Sequence, residues 1–291
     1  MKGDRTIKGL FVGLVTLDFV YLASNAPQSN QKIVAIDYTV SAGGPATNAA
    51  ATFSYLGNQA NLLGVIGTHP TTELIKADLA SCKVEISDLA PYSNQIPPVS
   101  SVIITQETGQ RAVVSINAVK TQVNNSAIAS DILNNIDIVL IDGHQMAVGN
   151  AIAKEAKTKN IPVVIDGGSW KQGFEDILPS VDYAICSANF YPPNCNNSEQ
   201  VFAYLSSFGI PHIAITRGEQ PILYLSNNKI YTIDVPTVKI TDTLGAGDIF
   251  HGAFCHFILF KSFAEALADA ALIAADSCQA FGTRRWMNIK G

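Results

Sequence analysis

Thr241-Asp242-Thr243-Leu244-Gly245-Ala246-Gly247-Asp248-Ile249-Phe250-His251-Gly252-Ala253 is a run of small residues that opens onto an apolar segment, Ile249 to Phe260. Successive small residues let the backbone curl so that neighbouring N–H groups converge on one point. The positive end of the following helix adds to their field, so the loop suits an anion. Asp248 stands at its mouth. As a helix N-cap it would have a structural task, for which aspartate is a good choice. As a base it would take the proton of a hydroxyl attacking a phosphoryl group, while the amides of 245–247 hold the transferring oxygens. The residues alone leave both open.

Working outward, 291 residues suffice for one large core, or a main domain with a small appendage. A chain 47% hydrophobic and 15% charged is a folded one. The net charge of −5, without a Lys/Arg run, argues against nucleic acid as a partner. Cys82, Cys186, Cys195, Cys255 and Cys278 are scattered and show no Cys-x-x-Cys spacing, which points to free thiols in a reducing compartment rather than disulfides or a zinc site. Met1 to Lys8 is polar, and Leu10 to Val15 is too short for a signal sequence. Ile249 to Phe260 is interrupted by His251 and His256 and falls short of a membrane span. A soluble, cytoplasmic protein that uses no membrane is expected.

Leu10–Val15 reads as a strand covered on both faces, and it places Asp18 just past its carboxyl end, the edge where open α/β sheets bind ligands. An ordinary turn aspartate is the competing reading. Strands at Ala60–Ile66, Asp137–Ile141, Val163–Ile165, 182–186 and 212–215 alternate with helices at Ala46–Tyr55, Thr72–Ser81, Ala147–Lys157 and Ser198–Ser207, and a last helix is read at Phe263–Phe281. The rhythm predicts an α/β fold, a mostly parallel central sheet with helices on both faces, as one domain over 1–291. Lys32–Thr39, Val99–Thr105 and Arg111–Ile116 break it, the last two joined by a hairpin turn at Gln106–Gln110. They are either sheet edge or a small β layer standing over the site. Polar residues follow the strands: Asp142 and His144, then Asp166 and Lys171, then Thr216 and Gly218. His144 reads as a loop residue, and Lys171 as either a phosphate partner or a solvated lysine.

Asp242–Asp248, with Phe250 and Gly252-Ala253, resembles the C-terminal signature of the ribokinase-like (PfkB) sugar kinases. Gly43-Gly44-Pro45-Ala46-Thr47-Asn48 resembles that family's N-terminal Gly-Gly-x-x-x-Asn element, in the expected order. The resemblance implies an ATP-dependent kinase of a small sugar with Asp248 as catalytic base and Gly245, Ala246 and Gly247 as anion hole. It implies Asp18, Gly43, Gly44 and Asn48 as sugar contacts, joined in ketohexokinase-like members by Asp142 and by Arg111 of a lid hairpin. On the nucleotide side it implies Asn189, Thr216 and Gly218; Lys171, after its Gly-Gly turn, reads as a partner of a nucleotide phosphate or of an anionic substrate group, or as a solvated lysine. Two departures stand out: Pro192 replaces the glutamate of the family's magnesium element, and Pro221 replaces the second glycine of its nucleotide turn. Mg²⁺ is implied by phosphoryl transfer, with Asp166 or Asp248 acting through water, and a monovalent cation (K⁺) by the Asp242 loop, although Gly282–Trp286 departs from the pattern. A lid from about 19–40 and 98–116, often shared between two subunits in the family, implies a homodimer. Gly43–Ala46 and Gly247–Ala253 are spelled most like ketohexokinase and sulfofructose kinase.

A nucleoside or vitamin kinase of the same superfamily is an alternative, which would need an aromatic pocket under the lid, with Tyr38 as its candidate. A non-catalytic scaffold is a second, motivated by Pro192 and Pro221. A dinucleotide-dependent oxidoreductase is disfavoured because Gly245-x-Gly247 lacks a third glycine at 250.

Overall fold

The computed structural model describes residues 6–116 and 122–288, so part of the polar Met1–Lys8 start lies outside the described residues. In chain order its first half contains β1 (Lys8–Val12), β2 (Thr16–Ala23), β3 (Asp37–Gly43), α1 (Pro45–Tyr55), β4 (Gln59–Gly64), α2 (Thr72–Ser81), β5 (Val84–Asp88), β6 (Val99–Thr105) and β7 (Arg111–Ser115). The second half contains β8 (Ile138–Ile141), α3 (Met146–Thr158), β9 (Val163–Gly167), α4 (Phe174–Ile177), β10 (Tyr183–Ser187) and α5 (Ser198–Ser206). It closes with β11 (His212–Arg217), β12 (Gln220–Ser226), β13 (Lys229–Ile233), α6 (Ala246–Phe257) and α7 (Phe263–Ser277).

Nine strands form the central sheet in the order β13-β12-β11-β10-β9-β8-β1-β4-β5. From β11 to β5 every neighbouring pair is parallel, and β12 and β13 add an antiparallel edge. The apolar runs are the parallel strands because helices cover both faces, so each residue of Ile138–Ile141 is buried. One core lies on the face holding α3 and α5 and the other on the face holding α1, α6 and α7. Among the described residues no helix is long and apolar enough to cross a membrane.

The β layer is a separate four-stranded sheet, β3-β2-β6-β7. Its strands correct several expectations. β1 ends at Val12, because a Cβ at Gly13 would stand 2.1 Å from the Asp142 carboxylate and no continuing strand residue fits there. Asp18 consequently lies inside β2, paired with Ser41 of β3 and Ser100 of β6, rather than in a turn after the first strand. The strand expected over Lys32–Thr39 is displaced to Asp37–Gly43. α7 stops at Ser277, not Phe281. β5 and the β12–β13 hairpin were not expected at all.

β3 runs straight into α1 through Gly43 and Gly44, so the β layer and the first helix are one continuous piece of chain. α1 packs along α6 at backbone range. A Cβ at Gly252 would lie 2.3 Å from the Ala49 carbonyl oxygen and 2.8 Å from Thr52 Cβ. Glycine is the poorer helix former by about 1 kcal/mol relative to alanine, and here that cost secures contact between the helices. Gly252→Ala is therefore expected to destabilise the fold by about 2 kcal/mol, the size of an overpacking penalty, despite the gain in helix propensity. Urea denaturation of the two proteins checks the sign.

Candidate active site

The N-terminus of α1 is built by strain and a buried anion. Gly44 has φ +104°, and a Cβ there would meet the Leu14 carbonyl oxygen at 2.3 Å, so only glycine makes the turn. Pro45 follows in the first turn, where its missing N–H costs nothing. Asp142, wholly buried, accepts from the amides of Leu14 (2.8 Å) and Ala46 (3.2 Å) with Oδ2 and from the His144 amide (2.8 Å) with Oδ1. Burial pushes this carboxyl up, but the His144 ring 3.3 Å away and the amides more than reverse that and hold it below its ordinary range. Expected to face the sugar, Asp142 instead staples the exits of β1 and β8 to the start of α1.

At the opposite wall, Gly245 caps α6 with φ +72°, and around Gly247 an added Cβ would meet nothing within 4 Å. The loop is open where its amides begin the helix, and the first N–H groups of a helix have no partner inside it. Asp248 is the third residue of α6, in its first turn, and the N-cap position belongs to Gly245, so the capping reading is excluded. Its Oδ2 accepts from Asn48 Nδ2 at 2.7 Å, a hydrogen bond between residues 200 apart in sequence. Burial, then the negative charge of Asp166, pushes the Asp248 carboxyl up to about 7; Asn48's donation and His251 pull against this, and Asp142 adds a further push.

His251 lies on the same face of α6, is buried, and was missed by sequence reasoning. Its Nδ1 faces the Gly247 carbonyl oxygen at 2.7 Å and Asp166 Oδ2 at 3.4 Å, while Nε2 faces the Ile185 carbonyl oxygen at 3.1 Å. Both ring nitrogens therefore lie within hydrogen-bond reach of backbone carbonyl oxygens, which only accept. A polar residue three places after Asp248 in an otherwise apolar helix was the signal. Asp166 thus has a side-chain partner on α6, and its charge, after burial, keeps the Cys186 and Cys255 thiols well above their ordinary range.

The floor of the β layer brings Asp18 to the same place. Its Oδ1 accepts from Thr16 Oγ1 at 2.7 Å, and a Cβ at Gly43 would stand 1.9 Å from Oδ2, so Gly43 keeps that carboxylate accessible. Burial raises the Asp18 carboxyl, offset in part by Thr16, Ser100 and the charge of Arg284. Arg284 is the second residue that sequence reasoning passed over; its Nη1 donates to Asn48 Oδ1 at 2.9 Å. Asp18, Gly43, Gly44, Asn48 and Asp248 are thereby linked through direct contacts and chain adjacency.

The remaining expected residues are more dispersed. Asp242 is buried with Oδ1 on the Leu244 amide (2.8 Å) and Oδ2 on the Gly282 amide (2.9 Å), tying the loop to the chain beyond α7. Burial raises its carboxyl, while those amides and Arg111 lower it. Arg111 is exposed at the start of β7, and the neighbouring hairpin tip reaches the same loop: a Cβ at Gly109 would lie 2.9 Å from Ile240 Cγ2. Lys171 Nζ donates to the Asp142 carbonyl oxygen at 3.4 Å. Thr216 Oγ1 donates to the Cys186 carbonyl oxygen at 3.4 Å, and Gly218, φ +64°, sits in the tight turn joining β11 to β12. Pro221 falls inside β12, where its carbonyl accepts from Arg217 Nε (2.8 Å) and Nη2 (2.6 Å). Asn189 is exposed beyond β10. Among the described residues no three His, Cys, Asp or Glu side chains gather as a metal cage.

Residues 8–289 match the family model described as pfkB family carbohydrate kinase. With a parallel sheet, a small β layer over its edge and the helix-borne aspartate between them, the chain belongs to the pfkB family of carbohydrate kinases, whose fold is ribokinase-like. Ribokinase of Lactococcus lactis is 22% identical over 287 residues, covering 95% of this chain and 92% of that protein. Ribokinase of Arabidopsis thaliana is 24% identical over 290 residues, covering 93% of this chain and 76% of that one. A solved structure of Arabidopsis thaliana ribokinase complexed with ribose and ATP superposes with a TM-score of 0.79 at 21% identity, covering 98% of this chain and 100% of that chain.

A carboxyl raised in the folded state binds its proton more tightly there than in the unfolded chain, so folding loses stability as pH rises from about 4 towards 7. Asp248→Asn lacks this penalty. Thermal melts are expected to show the variant more stable than wild type at pH 8 and equal to it near pH 4.

Proposed function

We propose that the chain transfers the γ-phosphoryl group of ATP to a hydroxyl of a small sugar, most simply a primary one, with Asp248 as general base. The observation that carries the proposal is Asp248 itself: a carboxyl pushed up to about 7, oriented by Asn48 and set in the first turn of α6 beside an open glycine loop. A base poised near neutrality accepts a hydroxyl proton without being too weak to hold it. Its proton comes from the attacking hydroxyl, and the amides of Gly245, Ala246 and Gly247 receive the charge that builds on the phosphoryl oxygens. The sugar lies against Asp18, Gly43, Gly44 and Asn48. The nucleotide lies towards Asn189, Thr216, Gly218 and Lys171, with Arg111 near the lid end of the site. The Arabidopsis relative, complexed with ribose and ATP, supports a sugar and ATP as the two reactants.

Mg²⁺ neutralises ATP when bound. Among the described residues no protein cage for it forms: Pro192 stands where a carboxylate was expected, and Asp166 faces His251. The ion is then carried by phosphates and water, its preferred mode. A K⁺ ion at the Asp242 loop belongs to the same proposal: each Asp242 oxygen accepts one backbone amide and keeps a second lone pair for a cation.

The lid sheet also favours a homodimer. Val34, Tyr38, Val114 and Ile116 are 84%, 66%, 77% and 63% exposed, and every residue of the edge strand β7 is exposed. An uncovered apolar edge strand is an invitation to pairing. Light scattering is expected to give twice the chain mass, and Val114→Lys to give the monomer; a wild-type monomer would refute the dimer.

ADP release measured over pentoses, hexoses, ketoses, sugar acids and nucleosides tests the reaction itself. Turnover with a sugar is expected, with Asp248→Asn reducing kcat on the order of 10²- to 10⁴-fold. Turnover confined to nucleosides would overturn the acceptor class, and an undiminished variant would overturn the base.

A further inference from the structure

Arg284 lies in the loop after α7, its side chain 14% exposed. Nη1 donates to Asn48 Oδ1 (2.9 Å), Thr283 Oγ1 (3.1 Å) and the Thr283 carbonyl oxygen (3.3 Å). Nη2 donates to the Ala42 carbonyl oxygen (2.8 Å) and pairs with Asp78 Oδ2 at 3.3 Å. Nε is buried with no hydrogen-bond partner among the described residues. One guanidinium thus joins the end of β3, α1, α2 and the C-terminal loop.

Its contact with Asn48 has a chemical consequence. A carboxamide presents an acceptor on one side and donors on the other. Here the donor-only guanidinium meets Oδ1 and the Asp248 carboxylate meets Nδ2. Flipping the amide would set N–H against guanidinium and oxygen against carboxylate, so both neighbours oppose the flip. The hold at Ala42 O fixes the residue immediately before Gly43, and the same positive charge reaches Asp18. Lysine lacks the planar fork that engages two acceptors in fixed directions.

We propose that Arg284 is a positioning residue for phosphoryl transfer, locking the Asn48 carboxamide so that its N–H groups serve Asp248 and the sugar. The proposal rests on the reading of Asp248 as base. Arg284 touches neither reactant; it acts through Asn48.

The test is steady-state kinetics as a function of pH on the whole protein, with the sugar and ATP varied separately. Arg284→Met is expected to lower kcat/KM for the sugar on the order of 10- to 100-fold, the loss of a charge-assisted hydrogen bond, and to leave KM for ATP nearly unchanged. The acid limb of the profile should move to higher pH, because Asp248 loses a well-oriented donor while Asp166, Asp142 and His251 remain around it. Arg284→Lys should recover part of the rate, and it carries the same pH test if the methionine variant does not fold. In an Asn48→Ala background, Arg284→Met should cost less than about 3-fold, the signature of two residues acting as one. An unmoved acid limb, or a full-sized loss in that background, would overturn the positioning role. Wild-type turnover by Asp248→Asn would instead refute the base reading, so the two failures are told apart.

Discussion

The hydrogen bond from Asn48 to Asp248 is the contact on which the site depends, and backbone geometry makes it possible. Two helices from opposite ends of the chain must approach until a carbonyl of one nearly touches a Cα of the other. Gly252 opposite Ala49 meets that demand on α6. At the other end of the contact, Gly44 turns β3 into α1 and Asp142 fixes the turn. The glycines and the buried carboxylate make a rigid corner at which β3, α1 and α6 meet.

Electrostatics then differentiates four aspartates that differ little in sequence. Asp142 receives backbone amides and stays charged as a fastener. Asp242 also receives amides, yet burial prevails and its carboxyl is raised. Asp166 is set against the His251 ring of α6, 3.4 Å away. Asp248 gets one side-chain donor, and burial with an anionic neighbour pushes its carboxyl up to about 7. Burial and the N–H groups each carboxylate is given together set the direction in which its proton affinity moves.

Much of this was legible in the chain. The parallel sheet followed from uninterrupted apolar runs such as Ile138–Ile141, because only a doubly covered strand reads that way. The Gly43–Asn48 and Asp242–Asp248 elements were legible because each combines a forced backbone conformation with a specific side chain at fixed spacing. β2 was hidden because its residues alternate imperfectly between a floor and a surface, and Leu17-Asp18 looked like a turn. The β12–β13 hairpin was hidden by Pro221, which the start of a strand beside a register irregularity tolerates. His251 and Arg284 act through partners far away in sequence, Asp166 and Asn48, and no local pattern announces such pairings. Asp142 shows the opposite error: a strand-end aspartate has the same spelling whether it faces a ligand or its own backbone.

Behind Asp166 stand Cys186 and Cys255, both fully buried, their thiols held neutral by burial and by that negative neighbour. Oxidants and alkylating reagents attack the thiolate, and here it scarcely forms. The sulfur-lined back wall of the site is therefore chemically silent, whatever the redox poise of its surroundings. Two of the five cysteines say nothing about the compartment in which the chain works.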